Sequence, residues 1–138
     1  MGNFVPSDER MRELLESARR IAVVGLSDKP ERDSYRVARY LQEQGYQIIP
    51  VNPLVTEVLG EKSVPSLREI DGKVDIVNVF RRSEEVRAIV EESVQIGAEA
   101  VWLQLGVVDE AAARLAMEQG LEVVMDRCIK VEHARLFN

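Results

Sequence analysis

The sequence predicts an α/β fold, a single doubly wound domain with a mostly parallel five-stranded sheet and helices on both faces. Short apolar runs that stop at glycine or another turn residue read as strands buried on both faces. Amphipathic segments fill every gap between those runs, so strand and helix alternate along the chain. The length of 138 residues suits one domain, since domains cluster at about 100–150 residues.

Residues 1–20 form an N-terminal helical segment: Ser7 is the N-cap, Asp8 and Glu9 sit in the first turn, and Met11, Leu14, Leu15 and Ala18 share one face. Ile21-Ala22-Val23-Val24 is the first strand and Gly25 its stop. A polar loop, Leu26 to Asp33, leads to a helix from about Ser34 to Gln44, with Val37, Ala38 and Leu41 inward and Gly45 ending it. Gln47 to Val51 is the second strand, closed by Asn52-Pro53, which completes a right-handed βαβ unit. Gly60 and Pro65 interrupt the stretch Leu54 to Lys73, where only Ser66 to Ile70 suggests a short helix. The third strand spans Val74 to Phe80, and a helix runs from Ser83 or Glu84 to Ile96 before Gly97. Ala100 to Leu105 is the fourth strand, Asp109 caps a helix over Glu110 to Gln119, and Glu122 to Met125 is the fifth strand. The tail, residues 126–138, is a short helix or an ordered extension. The expected strand order is 3-2-1-4-5.

Composition narrows the function. Hydrophobic residues make up 46% and charged residues 30%, a globular balance. No uncharged apolar run approaches the ~18 residues of a membrane span. The start, Met1-Gly2-Asn3-Phe4-Val5-Pro6, lacks a basic region followed by an apolar stretch, and Pro6 breaks the myristoylation pattern, so a cytosolic location is expected. With one cysteine, Cys128, an internal disulfide framework is excluded, and with one histidine, His133, the sequence disfavours a Cys/His structural zinc site within one chain. A net charge of −6 argues against nucleic acid and anionic membranes as partners. An anionic ligand therefore needs a local basic cluster.

In an open parallel sheet that cluster belongs beyond the C-terminal strand ends, where the strand order reverses, here expected between the first and fourth strands. The residues delivered there are Gly25, Ser27 and the loop to Ser34, then Asn52-Pro53, Phe80-Arg81-Arg82, and Gln104 to Val107. Lys29 and Arg32 lie in the first loop, which ends at a helix N-terminus suited to phosphate, although Gly25 and Ser34 also suit a plain turn and cap. The loop is not a G-x-G-x-x-G fingerprint, because Ser27 and Pro30 occupy the later glycine positions. Asn52 stands where a dinucleotide site would place an acidic residue, so a nicotinamide cofactor loses both supports. No Walker motif is present either.

The run from Val23-Val24-Gly25-Leu26-Ser27 through Arg36-Val37-Ala38, with Ile49-Pro50-Val51-Asn52-Pro53, resembles the small stand-alone CoA-binding proteins of bacteria. Val79-Phe80-Arg81-Arg82, Trp102 to Gly106 and Asp126-Arg127-Cys128 extend the likeness over nearly the whole chain. That family is similar to the CoA-binding domain of the succinyl-CoA synthetase alpha subunit, with a Rossmann-like fold. The resemblance implies that Gly25, Ser27, Lys29, Pro30, Ser34 and Arg36 receive the pyrophosphate of coenzyme A. Val51, Asn52 and Pro53 would lie along the adenosine, Phe80 and Arg81 would close the other side, and Gly106 would complete the site. Coenzyme A carries roughly four negative charges, which Lys29, Arg32, Arg36, Arg81 and Arg82 could offset. The synthetase's phosphorylated histidine belongs to a second domain, for which this chain has no room.

Three single residues complete the reading. Cys128 is either a small buried hydrophobe or a partner for the CoA thiol in a mixed disulfide. His133 beside Glu132 reads as a solvated or capping tail residue rather than a general base, and Trp102 as core. The expected function is a non-catalytic module that binds CoA or an acyl-CoA, as a homodimer or beside a separate partner enzyme. The alternatives are a subunit of a split acyl-CoA synthetase or an acyl-CoA-handling transferase, and, less favoured, an NAD(P)-binding regulator.

Overall fold

The computed structural model describes residues 4–138; the N-terminal reading on Met1 to Asn3 lies outside the described residues. The main strands are β1 (Arg20–Val24), β2 (Gln47–Val51), β5 (Ile76–Val79), β6 (Ala100–Leu103) and β7 (Glu122–Met125), and a two-residue ribbon pairs β3 (Glu57–Val58) with β4 (Glu61–Lys62). The helices are α1 (Asp8–Ser17), α2 (Asp33–Glu43), α3 (Val86–Gln95), α4 (Glu110–Glu118) and α5 (Ile129–Phe137). Short 3₁₀ turns at Leu67–Glu69 and Ser83–Glu85 fill the irregular stretch and lead into α3. Among the described residues no helix is long and apolar enough to cross a membrane.

The five main strands are parallel, in the order β2-β1-β5-β6-β7. The fold is the doubly wound α/β class the sequence predicts, but the strand order is not 3-2-1-4-5. The third main strand, β5, pairs with the free side of β1 and leaves β2 at the edge. Pro50 supplies the reason. It has no N–H to give a second neighbour, and proline in a sheet belongs at an edge. Its carbonyl accepts from Val64 N (3.0 Å) on the outer side, where the missing N–H costs no ladder bond.

Alternation along each strand divides the core in two. Ile21 and Val23 of β1 face α1, α2 and α5, whereas Ala22 and Val24 face α3 and α4. Trp102, fully buried as expected, anchors the first side. The start of β1 is fixed by Asp75, whose Oδ2 accepts from Arg19 N (2.8 Å) and Arg20 N (2.9 Å). Ser7 and Asp109 cap α1 and α4 as their positions predict, accepting from Arg10 N (3.2 Å) and Ala112 N (3.0 Å). The tail is the helix α5, which packs against α1 and α2. Arg135 joins α5 to α1 through both oxygens of Asp8 (2.9 Å each), which holds the Asp8 carboxyl below its usual range.

Candidate functional site

The strand order reverses between β1 and β5 rather than at the fourth main strand, and there the loops after Val24 and Val79 meet. Gly25 N donates to Val51 O (2.9 Å) and Phe80 N to Val24 O (2.8 Å), so the ends of β2, β1 and β5 are held level. Gly25 has φ 87°, and a Cβ there would run into the Phe80 carbonyl oxygen, with Arg81 Cδ 3.4 Å away. Only glycine permits this approach.

The loop after Gly25 folds on itself. Ser34 Oγ accepts from Ser27 N (3.0 Å), Ser27 Oγ accepts from Lys29 N (3.0 Å), and Arg32 N donates to Lys29 O (3.0 Å). Ser34 is therefore not the N-cap the sequence suggests. It sits inside the first turn of α2, 6% exposed, and closes the loop. Arg32 takes the cap position and offers no side-chain acceptor, so the first-turn N–H groups and the positive end of the helix dipole open onto the crevice. Arg36 is already engaged, by the Glu31 carbonyl and the Asp33 carboxylate. Among the described residues, Lys29, Arg32 and Arg81 have no acidic partner within salt-bridge distance.

A crevice of about 1430 Å³ extends from this point along the strand ends in both directions. Toward β2 it reaches Asn52, Leu54 and Val55; toward β7 it reaches Gln104, Val107, Cys128 and Lys130. Asn52 ties two loops together, donating from Nδ2 to Leu26 O (3.0 Å) and accepting at Oδ1 from Leu54 N (2.9 Å). Gln104 is 7% exposed, and its Oε1 accepts from Asn78 Nδ2 (3.2 Å) and Ile129 N (3.3 Å). The turn from β7 into α5 is equally fixed. Trp102 Nε1 donates to Arg127 O (2.9 Å), and Gly106 N donates to Asp126 Oδ1 (2.7 Å), Asp126 itself having φ 65°.

Of the residues singled out from sequence, Gly25, Ser27, Lys29, Ser34, Arg36, Asn52, Phe80 and Arg81 line the crevice. Pro30, Val51, Pro53 and Gly106 do not. Pro30 and Pro53 are exposed in loops, Val51 is buried in β2, and Gly106 forms the turn that holds Asp126. Leu54, Val55, Lys130 and Val131 are lining residues outside the expected set. Leu54 carried a signal in its place directly after Asn52-Pro53; Lys130 and Val131 depend on α5 turning back toward the sheet, which no local pattern announces. His133 is not a solvated tail residue. It is 7% exposed, its Nδ1 lies 2.8 Å from Tyr40 Oη, and its ring stacks on Phe137 at 4.6 Å, away from the crevice lining. Burial lowers its pKa and pushes Tyr46 beside it up to about 12.

Comparison with known proteins supplies the context for this geometry. The chain is 52% identical over 129 residues to the uncharacterized protein YneT of Bacillus subtilis, a match covering 94% of this chain and 96% of that one. It is 30% identical over 131 residues to the alpha subunit of an ADP-forming acetate–CoA ligase II of Pyrococcus furiosus, covering 86% of this chain but 29% of that subunit. Among solved structures, a hypothetical protein from Pyrococcus horikoshii OT3 superposes with a TM-score of 0.95 at 40% identity, covering 100% of this chain and 97% of that one. Residues 19–134 match the family model described as CoA binding domain, and the chain belongs to that family.

Proposed function

We propose that this protein binds coenzyme A, or an acyl-CoA, across the C-terminal strand ends as a cytosolic binding or regulatory module that performs no chemistry on its own. The observation that carries the reading is the gathering of three cations without an acidic partner among the described residues, Lys29, Arg32 and Arg81, around the open N-terminus of α2 in a chain of net charge −6. Such a cradle suits a polyanion, because the cations and the helix end both favour phosphate. The pyrophosphate occupies the loop Gly25 to Ser34, and Arg36 borders it while bound to Asp33. Adenosine lies toward Asn52 and Leu54, and the pantetheine arm runs toward Gln104. Pro30, Val51, Pro53 and Gly106 shape the walls without touching the ligand. Membership in the CoA binding domain family supports the assignment.

Calorimetric titration of the ligand-stripped protein with CoA, dephospho-CoA and NAD tests it. CoA should bind tightest, and Lys29→Ala or Arg81→Ala should each weaken it about tenfold or more, since a hydrogen bond to a charged group contributes about 1.5–3 kcal/mol. A folded protein that gives no heat with CoA overturns the proposal.

The similarity to the ligase alpha subunit favours a second reading, a component of a split acyl-CoA synthetase that works beside a partner. The only histidine lies off the crevice, so a phosphohistidine relay would have to come from that partner. Formation of ATP from acetyl-CoA, ADP and phosphate by the chain together with that partner, and by neither alone, would replace the binding module with a synthetase component.

A further inference from the structure

The half-buried Cys128 takes no side-chain hydrogen bond among the described residues, yet it lines the crevice at the head of α5. The reading of the crevice as a CoA site gives it a neighbour. With adenosine at β2 and pyrophosphate between β1 and β5, the pantetheine arm must run past β6 toward β7. From β1 to β7 is three strand spacings, about 14 Å at ~4.8 Å each, a span suited to an extended pantetheine arm.

A second observation points to a ligand on the same path. Gln104 is more than nine-tenths buried and lines the crevice, and its Oε1 is saturated by Asn78 and Ile129. Its Nε2 has no acceptor among the described residues. This Nε2 is open to the crevice rather than enclosed in the core, so a carbonyl of a seated ligand can accept from it, and the pantetheine arm carries two amide carbonyls. Through Ile129 N, the same Gln104 side chain is tied to the residue that follows Cys128.

We propose that Cys128 exchanges with the thiol end of a CoA disulfide seated in the crevice, so that the protein captures oxidised CoA as a mixed disulfide; the inference rests on the CoA-binding reading above. The Cys128 thiolate attacks one sulfur of the CoA disulfide. The old sulfur–sulfur bond breaks, a bond from Cys128 Sγ to one CoA sulfur forms, and the other CoA leaves as a thiolate that takes up the proton Cys128 released. The disulfide is transferred without any further oxidant. A thiol such as free CoA reverses the step and releases the ligand, making occupancy responsive to redox state.

The test treats the reduced full chain with CoA disulfide or with glutathione disulfide, followed by non-reducing intact mass and peptide mapping, with CoA titrated calorimetrically in parallel. The expected result is one CoA adduct, on Cys128, reversed by dithiothreitol and absent in a folded Cys128→Ser variant. CoA disulfide should react about tenfold or more faster than glutathione disulfide, because a seated disulfide reacts at an effective concentration in the millimolar range. Normal CoA binding with no adduct, or equal rates with the two disulfides, overturns the inference and leaves the binding reading standing. Absence of CoA binding overturns both.

Discussion

Replacing Gly25 by alanine adds one methyl group where two loops touch, and the Phe80 carbonyl already fills that space. The left-handed backbone alone should cost about 1–3 kcal/mol, and relief of the clash must part the loops that carry Lys29 and Arg81. Gly25→Ala should therefore lower both the thermal midpoint and the CoA affinity, measured by calorimetry. His133 offers a pH test. Burial keeps it neutral when folded, so its folded pKa lies below the ordinary value of about 6.5. As pH falls through that ordinary value toward the lower folded one, the unfolded chain takes up a proton first and stability is lost. The midpoint should drop between pH 7.5 and 5.5 more steeply in the natural chain than in His133→Gln, and parallel profiles would refute the assignment. Sequence could identify Gly25 because its position in the first βα loop has chemical meaning. It could not identify the surroundings of His133, since Tyr40 and Tyr46 reach it from residues far away along the chain.

Elements were legible where their ends carry caps. Asp109 and Ser7 are in the positions their side chains announce, and Asp109→Ala should cost about 1 kcal/mol in chemical denaturation by exposing the first turn of α4. The start of α2 departs from its local sequence pattern for a related reason. Ser34 looks like a cap, but its hydroxyl is used by Ser27 N, and the helix opens one residue earlier without a cap of its own. Pro50 held the information that β2 is an edge strand, whereas the alternation of strands and helices alone does not specify their order. Fixing α5 needed tertiary facts, namely Arg135 on Asp8 and Ile129 N on Gln104, both contacts distant in sequence.

On the scale of the whole molecule, an acidic chain brings Lys29, Arg32 and Arg81, none with an acidic partner among the described residues, to one end of the sheet. CoA binding should weaken several-fold as salt rises from 0.05 to 0.5 M, since the contacts at the crevice mouth are exposed to screening; affinity indifferent to salt would argue against a phosphate cradle. The parallel order has another consequence, in time. No hairpin joins the main strands, and the crevice walls come from the loops after β2, β1, β5 and β6 and from the head of α5. Each wall depends on a crossover whose loop-closure entropy is met before its contacts form, which slows non-local pairing. The site can be complete only once every crossover has closed. A chain emerging from synthesis would thus remain blind to its ligand until the last strand and α5 dock, and recovery of CoA binding during refolding should trail the return of helical signal.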